Sequence, residues 1–169
     1  GCSLRHRGAE LLGQRRGLQA YVAERATMGI PLLHPWANRI GRRRFTVAGR
    51  EVVVDPQATP VRVDSAGLPM HGLLAGATGW EVERHEATAD GGMLAARFDF
   101  AARDDLMAAF PFAHELLVEA TLAGPALTIA TTVRATGDVA VPIAFGYHPY
   151  LRLPDVPRPE WRIEVPVQE

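Results

Sequence analysis

The sequence contains no lysine and only one asparagine and one cysteine among its 169 residues. All 18 basic residues are therefore arginines, and 19 acidic residues bring the formal net charge to -1. Since lysine is absent and alanine is abundant, the arginine content indicates a compositional bias, and a balanced charge would not steer a polyanion. We expect no nucleic-acid partner. Cys2 has no second cysteine with which to form an internal disulfide.

Long apolar runs are also missing. No stretch is apolar enough for a transmembrane helix, and the N-terminal region shows no signal-peptide core followed by a cleavage site. These absences favour a cytoplasmic protein without membrane contact. With 47% apolar and 22% charged residues, 16 glycines and 13 prolines, the composition fits one turn-rich globular domain over residues 1–169.

Apolar and polar residues alternate along most of the chain, as they do in half-buried strands. Only Arg103–Ala109 is predicted to be helical. Short strands separated by Gly- and Pro-rich turns predict an all-β, antiparallel sandwich or barrel. The predicted strands are Phe45–Arg50 and Glu51–Val54, which form a hairpin, then Trp80–Glu86, Met93–Phe100, His114–Leu122, Leu127–Arg134, Val139–Tyr147 and Trp161–Val165.

Three loop segments combine proline or glycine with polar groups: residues 29–40, 69–72 and 145–150. His148 ends an apolar strand before a proline, and a histidine with a near-neutral pKa suits proton transfer. It could equally be a turn histidine packed between Tyr147 and Tyr150. His71 precedes Gly72 and could simply belong to a turn. Arg39 could bind hydroxyl groups through its fork of donors or could be solvated like other arginines.

Metal and nucleotide chemistry lack their usual motifs in this sequence. The six histidines do not have the spacing of metal ligands, and there is no cysteine pair. There is also no Gly-rich nucleotide loop and no GxSxG motif. We therefore expect neither a metal nor a cofactor.

Four stretches, in this order, resemble the aldose 1-epimerase (galactose mutarotase) family. They are GIPLLHPWANRIG at 29–41, MHGLL at 70–74, FPFAHEL at 110–116 and FGYHPYLRLP at 145–154. The resemblance implies a large antiparallel β-sandwich, the galactose mutarotase-like supersandwich, with a sugar bound on its concave face and no cofactor. Its small-molecule partner would be a hexose such as glucose or galactose.

The resemblance also implies roles for particular residues. His148 would be the general acid, and His71 would contact the ring oxygen or an adjacent hydroxyl during catalysis. Asn38 and Arg39 would bind the sugar hydroxyls. Tyr150 and Trp36 lie beside these motifs and could stack on the apolar face of the sugar.

The implied reaction is the interconversion of α and β anomers of a free hexose by acid and base catalysis. The family's base is a Glu on a late strand, and we find no counterpart for it before Glu169. We therefore expect the domain to be incomplete at its C-terminus. A non-catalytic carbohydrate-binding sandwich is an alternative interpretation, and so is a hexose 6-phosphate epimerase with a phosphate site at Arg42, Arg43 and Arg44. No pattern indicates an oligomeric state.

Overall fold

Antiparallel strands make up most of the regular structure in the computed structural model, which describes residues 1–166. The helices are α1 (Gly17–Glu24) and α2 (Asp104–Ala109), and a 3₁₀ turn covers Arg158–Glu160. The strands are β1 (Arg5–His6), β2 (Ala9–Glu10), β3 (Leu32–Leu33), β4 (Arg44–Val47), β5 (Arg50–Val53), β6 (Arg62–Val63), β7 (Pro69–Met70), β8 (Glu81–Thr88), β9 (Gly91–Asp99), β10 (His114–Ala123), β11 (Ala126–Ala135) and β12 (Gly146–Tyr147).

The largest sheet is a four-stranded antiparallel meander in the order β11-β10-β9-β8. Leu116 of β10 lies opposite Phe98 of β9, and both side chains are fully buried. Every residue of the edge strand β8 is exposed, and half of its eight residues are charged. Such charges protect an open sheet edge against pairing with another chain. The predicted strands Trp80–Glu86, Met93–Phe100, His114–Leu122 and Leu127–Arg134 correspond to these four strands.

The hydrophobic core lies where one end of this sheet meets β5 and α2. Its members are aromatic or aliphatic and almost fully buried, and they include Val52, Val54, Leu73, Phe98, Phe100, Leu106, Phe110, Phe112 and Leu116. Asp104 and Asp105 occupy the first turn of α2, where carboxylates complement the partial positive charge of a helix N-terminus. Thus α2 presents Leu106 to the core and keeps its charged end in solvent.

The short strands organise the remaining loops around residues 29–40. β3 pairs with β12, and β6 pairs with β7. Isolated bridges join Trp36 to Ala144 and Arg39 to Met70. The β4–β5 hairpin turns at Ala48–Gly49, which confirms the predicted hairpin.

Three local predictions differ from the structure. α1 is a helix that the pattern does not indicate, because it buries only Ala20 and presents no apolar stripe. Of the predicted strand Val139–Tyr147, only β12 pairs as a strand, since Pro142 has no N–H to donate to a ladder. Trp161–Val165 forms no strand among residues 1–166, where the Trp161 indole N–H instead donates to the Val156 carbonyl.

Neither helix within residues 1–166 combines the length and the apolar content that crossing a bilayer would require. Within the same residues, no group of three or more His, Cys, Asp and Glu side chains is arranged to hold a metal ion.

Candidate functional site

The three motif segments singled out in the sequence are neighbours in space, and residues 29–40 form their centre. The Ala37 amide donates to the Ala144 carbonyl at 2.8 Å, and the His71 amide donates to the Asn38 carbonyl at the same distance. The Tyr150 amide donates to the Gly29 carbonyl at 2.7 Å. Backbone hydrogen bonds therefore bring both histidine loops against opposite ends of one segment.

His71 and His148, one from each loop, meet edge to face with their ring centroids 5.5 Å apart. The His148 ring also stacks on Tyr150, with a centroid distance of 4.8 Å and an interplanar angle of 19°. His148 is exposed and His71 is half-buried. The structure thus places three of the predicted site residues in one cluster, with an imidazole open to solvent at its surface.

The His71–Gly72 turn has an unusual backbone. Both residues adopt positive φ, +67° for His71 and +69° for Gly72. A Cβ added to Gly72 would lie 2.2 Å from the His34 carbonyl oxygen, which is closer than any side chain can pack. Strained backbone of this kind clusters at functional sites. Glycine at position 72 is therefore required by the close approach of the His34 backbone.

The His71 side chain has an electropositive and partly dry environment. Burial lowers its pKa below the ordinary histidine value, and the positive charges of His148, Arg62 and Arg39 lower it further. Its Nδ1 atom is buried and has no hydrogen-bond partner among residues 1–166. At neutral pH the ring is therefore uncharged, so one ring nitrogen can accept a hydrogen bond while the other donates one.

Asn38 and Arg39 form the polar edge of the cluster. The Arg39 guanidinium donates from Nε to Asp64 Oδ2 at 2.6 Å and from Nη1 to Asn38 Oδ1 at 3.2 Å. Asp64 also accepts the amide hydrogens of Ala66 and Leu68. The bond from Leu68 and the nearby Arg39 are the main causes that lower the pKa of Asp64. Arg39 is held in place on one side and remains half-exposed on the other.

Three residues that the sequence does not single out support this cluster: Asp64, Thr27 and Arg62. Thr27 Oγ1 lies 2.6 Å from the Tyr150 hydroxyl, and Arg62 Nη1 donates to Thr27 Oγ1 at 3.3 Å. Thr27 and Tyr150 are 123 positions apart. No local pattern could have indicated this contact, because it depends on the tertiary pairing of residues 29–40 with the 145–150 loop.

Trp36 does not join the cluster, contrary to the prediction that it stacks on a sugar. It is only 5% exposed and packs in the hydrophobic core. Pairing of this segment with Ala144 accompanies this burial. Its ring faces are covered by protein, so among the predicted stacking residues only Tyr150 lies beside the histidines.

A second histidine pair lies in the core, between His34 and His114. Both side chains are fully buried, and their Nε2 atoms are 2.7 Å apart. His114 Nδ1 donates to the Phe112 carbonyl, so its Nε2 accepts the hydrogen from His34 when both rings are neutral. Burial lowers the pKa of His114, and burial together with His114 lowers the pKa of His34 to about 3. Both rings are therefore neutral at pH 7.

A cavity of about 580 Å³ lies away from these histidines, against one face of the large sheet. Its walls are mainly apolar and include Leu94, Ala96, Val118, Ile129 and Leu32. None of the predicted site residues lines it. A polyhydroxylated ligand needs convergent polar groups to fix its orientation, and these are found at the histidine cluster instead.

Two arginines of the predicted phosphate site contact other groups of the protein. Arg43 donates two hydrogen bonds to the Gly67 carbonyl, and Arg44 forms an ion pair with Glu51. Two of the three arginines in that run are therefore bound to other groups of the protein.

A sequence profile described as Aldose 1-epimerase matches residues 3–167. The chain belongs to the aldose 1-epimerase family. This confirms the resemblance carried by the four stretches of sequence. No curated protein sequence matches the chain.

Solved structures of similar proteins agree with this family. The chain is 28% identical to the Slr1438 protein from Synechocystis sp. PCC 6803, with a TM-score of 0.62 over 86% of this chain and 44% of that one. It is 19% identical to a galactose mutarotase-like protein from Clostridium acetobutylicum, with a TM-score of 0.65 over 84% of this chain and 41% of the other. An Escherichia coli K12 protein provisionally described as an aldose 1-epimerase is 23% identical, with a TM-score of 0.61 over 88% and 44%.

These likenesses confirm the antiparallel, galactose mutarotase-like fold expected from the sequence. The chain spans less than half the length of each of these three structures.

Proposed function

We propose that this protein interconverts the α and β anomers of a free hexose, with His148 as the general acid. The observation that carries the proposal is the edge-to-face contact of His71 and His148 beside the half-exposed Arg39. Membership of the aldose 1-epimerase family supports the reaction class. The proposed reaction is an isomerisation, in which no group passes to another molecule and no electrons are gained or lost.

The chemistry requires the hemiacetal ring to open and close again. An acid protonates the ring oxygen while a base takes the proton of the anomeric hydroxyl, and rotation before closure produces the other anomer. His148 is exposed, so a sugar oxygen can reach its ring. His71, which is neutral at pH 7, would hydrogen-bond the ring oxygen or a neighbouring hydroxyl. Arg39 would donate to further hydroxyls from the N–H groups that Asp64 does not occupy.

The base of the proposed reaction is not Asp64. Its carboxylate already accepts one hydrogen bond from Arg39 and two from backbone amides, and its pKa is lowered, which makes it a poor proton acceptor. Among residues 1–166, no carboxylate forms a hydrogen bond or ion pair with His71 or His148. We therefore assign the acid and the binding groups and leave the base unassigned.

Mutarotation of α-glucose and α-galactose, followed by polarimetry or NMR, tests the proposal on the full-length gene product. We expect equilibration faster than the uncatalysed rate. His148→Asn should reduce the enzymatic rate by about 10²–10⁴-fold, the usual contribution of a general acid. His85→Asn is the matched control, since His85 is an exposed histidine on β8.

Two outcomes would contradict the assignment. A full-length protein that binds sugar and leaves the uncatalysed rate unchanged would favour a non-catalytic carbohydrate-binding protein. A His148→Asn variant that unfolds while its folded fraction keeps full specific activity would make His148 a structural residue. Thermal unfolding measured alongside the rate separates these outcomes.

A further inference from the structure

Thr27 is a buried hydroxyl next to the candidate site. It is 1% exposed, and its Oγ1 lies 2.6 Å from the Tyr150 hydroxyl. Arg62 Nη1 lies 3.3 Å from the same oxygen, and because a guanidinium only donates, Thr27 must accept this bond. The Thr27 hydroxyl keeps its hydrogen and a second lone pair for Tyr150. One side chain therefore hydrogen-bonds both Tyr150 and Arg62.

Tyr150 is fixed at its backbone as well as at its hydroxyl. Its amide donates to the Gly29 carbonyl and its carbonyl accepts from the Gly13 amide, each at 2.7 Å. The backbone bonds set where the side chain begins, and the bond to Thr27 sets where the ring ends. Together they fix the long axis of the Tyr150 ring, which runs from Cβ to the hydroxyl.

His148 depends on the position of the Tyr150 ring for its own orientation. Its side chain is exposed, and its ring forms no hydrogen bond with any group in residues 1–166. Its aromatic contacts there are the stack on Tyr150 and the edge of His71. An exposed imidazole with no hydrogen bond would otherwise sample several rotamers. The Tyr150 ring is thus the surface that orients it towards His71.

We propose that Thr27 is a positioning residue of the site: its hydroxyl holds the phenol of Tyr150, and the Tyr150 ring holds the imidazole of His148. The orientation of His148 follows from the geometry alone. The effect of Thr27 on reaction rate rests in addition on the proposed function.

The first arm of the test measures the orientation of His148 by NMR of its ring protons in the full-length protein. Stacking on Tyr150 displaces these resonances upfield through the aromatic ring current. Thr27→Val has nearly the same shape and no hydroxyl, so it should move them downfield, towards values of an unstacked histidine. Thr27→Ser restores the hydroxyl and should leave them at the wild-type position.

The second arm measures mutarotation. Thr27→Val should lower kcat by about tenfold with little change in KM, because a misoriented acid slows the chemical step more than it weakens binding. Tyr150→Phe keeps the ring and removes the hydroxyl, so it should have a similar effect. The double variant should be no slower than either single variant, because both changes break the same hydrogen bond.

The chain provides a matched control at Thr131, whose hydroxyl is hydrogen-bonded to that of Tyr147. Thr131→Val removes the same chemical group from another Thr–Tyr pair. It should leave both the His148 resonances and kcat unchanged.

The proposal is overturned if Thr27→Val keeps the stacked His148 resonances, or if Thr131→Val moves them equally. If Thr27→Val does not fold, Tyr150→Phe tests the same hydrogen bond: unchanged His148 resonances would then overturn the proposal. Should the resonances move as expected in a protein with no mutarotase activity, the positioning role stands and the proposed function fails.

Discussion

The fold contains two pairs of histidines in contact, and the two pairs differ in burial and hydrogen bonding. His34 and His114 share a hydrogen bond in a core without solvent access. His71 and His148 meet edge to face at the surface, without a hydrogen bond between them. The residue type is the same in both pairs, so burial and hydrogen bonding must determine what each pair can do.

Burial removes the first pair from proton chemistry. The pKa of both His34 and His114 is lowered, and Phe112 fixes the tautomer of His114. Exposure leaves the His148 ring accessible to a ligand and to water. A histidine in a sequence is therefore a candidate catalyst only where the fold leaves it accessible.

The two pairs are also connected through the backbone. The Leu73 amide donates to the His34 carbonyl at 2.7 Å, and Gly72 packs against the same carbonyl. The buried pair thus lies beneath the turn that carries His71. Changes to the core pair should appear as losses of stability, and changes near the surface pair as losses of binding or rate.

The largest expected difference between the pairs is in stability. His114→Ala leaves the His34 N–H buried without an acceptor and opens a cavity beside Phe100, so it should cost about 3 kcal/mol of the free energy of unfolding. His148→Ala, at an exposed position, should change it by less than about 0.5 kcal/mol. Urea-induced unfolding measures both. Equal losses of the free energy of unfolding in the two variants would show that the difference in burial does not determine how much each histidine stabilises the fold.

The buried pair should also make the stability of the protein depend on pH. A buried histidine with a lowered pKa stays neutral in the folded state, whereas the unfolded state binds a proton as the pH falls below about 6.5. The contribution of this histidine to the free energy of unfolding is therefore highest above that pH. It falls progressively as the pH drops towards the pKa in the folded state, which is about 3 for His34. Each such histidine adds a slope of about 1.4 kcal/mol per pH unit between these limits.

Unfolding measured between pH 6.5 and 5 isolates this effect, because most carboxylates titrate below that range. The double variant His34→Leu/His114→Leu should have a shallower slope than wild type, although His71 retains part of it. A slope unchanged in the double variant would mean that the core pair does not remain neutral.

The smallest expected effect concerns Arg39. Arg39→Ala should weaken hexose binding about tenfold, the value of one charge-assisted hydrogen bond. It should alter unfolding by less than about 1 kcal/mol, because the half-exposed Arg39 limits the value of its ion pair with Asp64. Titration with glucose or galactose measures the affinity, and Arg42→Ala is the control. If Arg39→Ala lowered the stability and left the hexose affinity unchanged, Arg39 would be a structural residue and not a ligand-binding one.

Sequence patterns predict the parts of this fold that depend on neighbours along the chain. The hairpin at Ala48–Gly49 and the meander of β8 to β11 follow from alternation interrupted by turn residues. The adjacency of the His71 and His148 loops was expected only through the family resemblance. Side-chain partners across long separations were not predictable, because alternation carries no information about which loops meet.

Three cases illustrate this limit. Thr27 lies outside every motif and reaches Tyr150 only through tertiary packing. The contact between His34 and His114 joins residues that are 80 positions apart. Trp36 precedes the polar pair Asn38–Arg39 in a Pro-containing segment, and its ring lies in the core rather than beside that pair.

The backbone at the His71–Gly72 turn limits how the site can be re-engineered. A mutational library that includes position 72 would lose nearly all of its members there, because any Cβ meets the His34 carbonyl. Positions 38 and 71 also have positive φ but already carry a Cβ, so asparagine, aspartate or glycine can occupy them at low backbone cost. Efforts to alter ligand preference should therefore keep Gly72 constant and vary the residues around it.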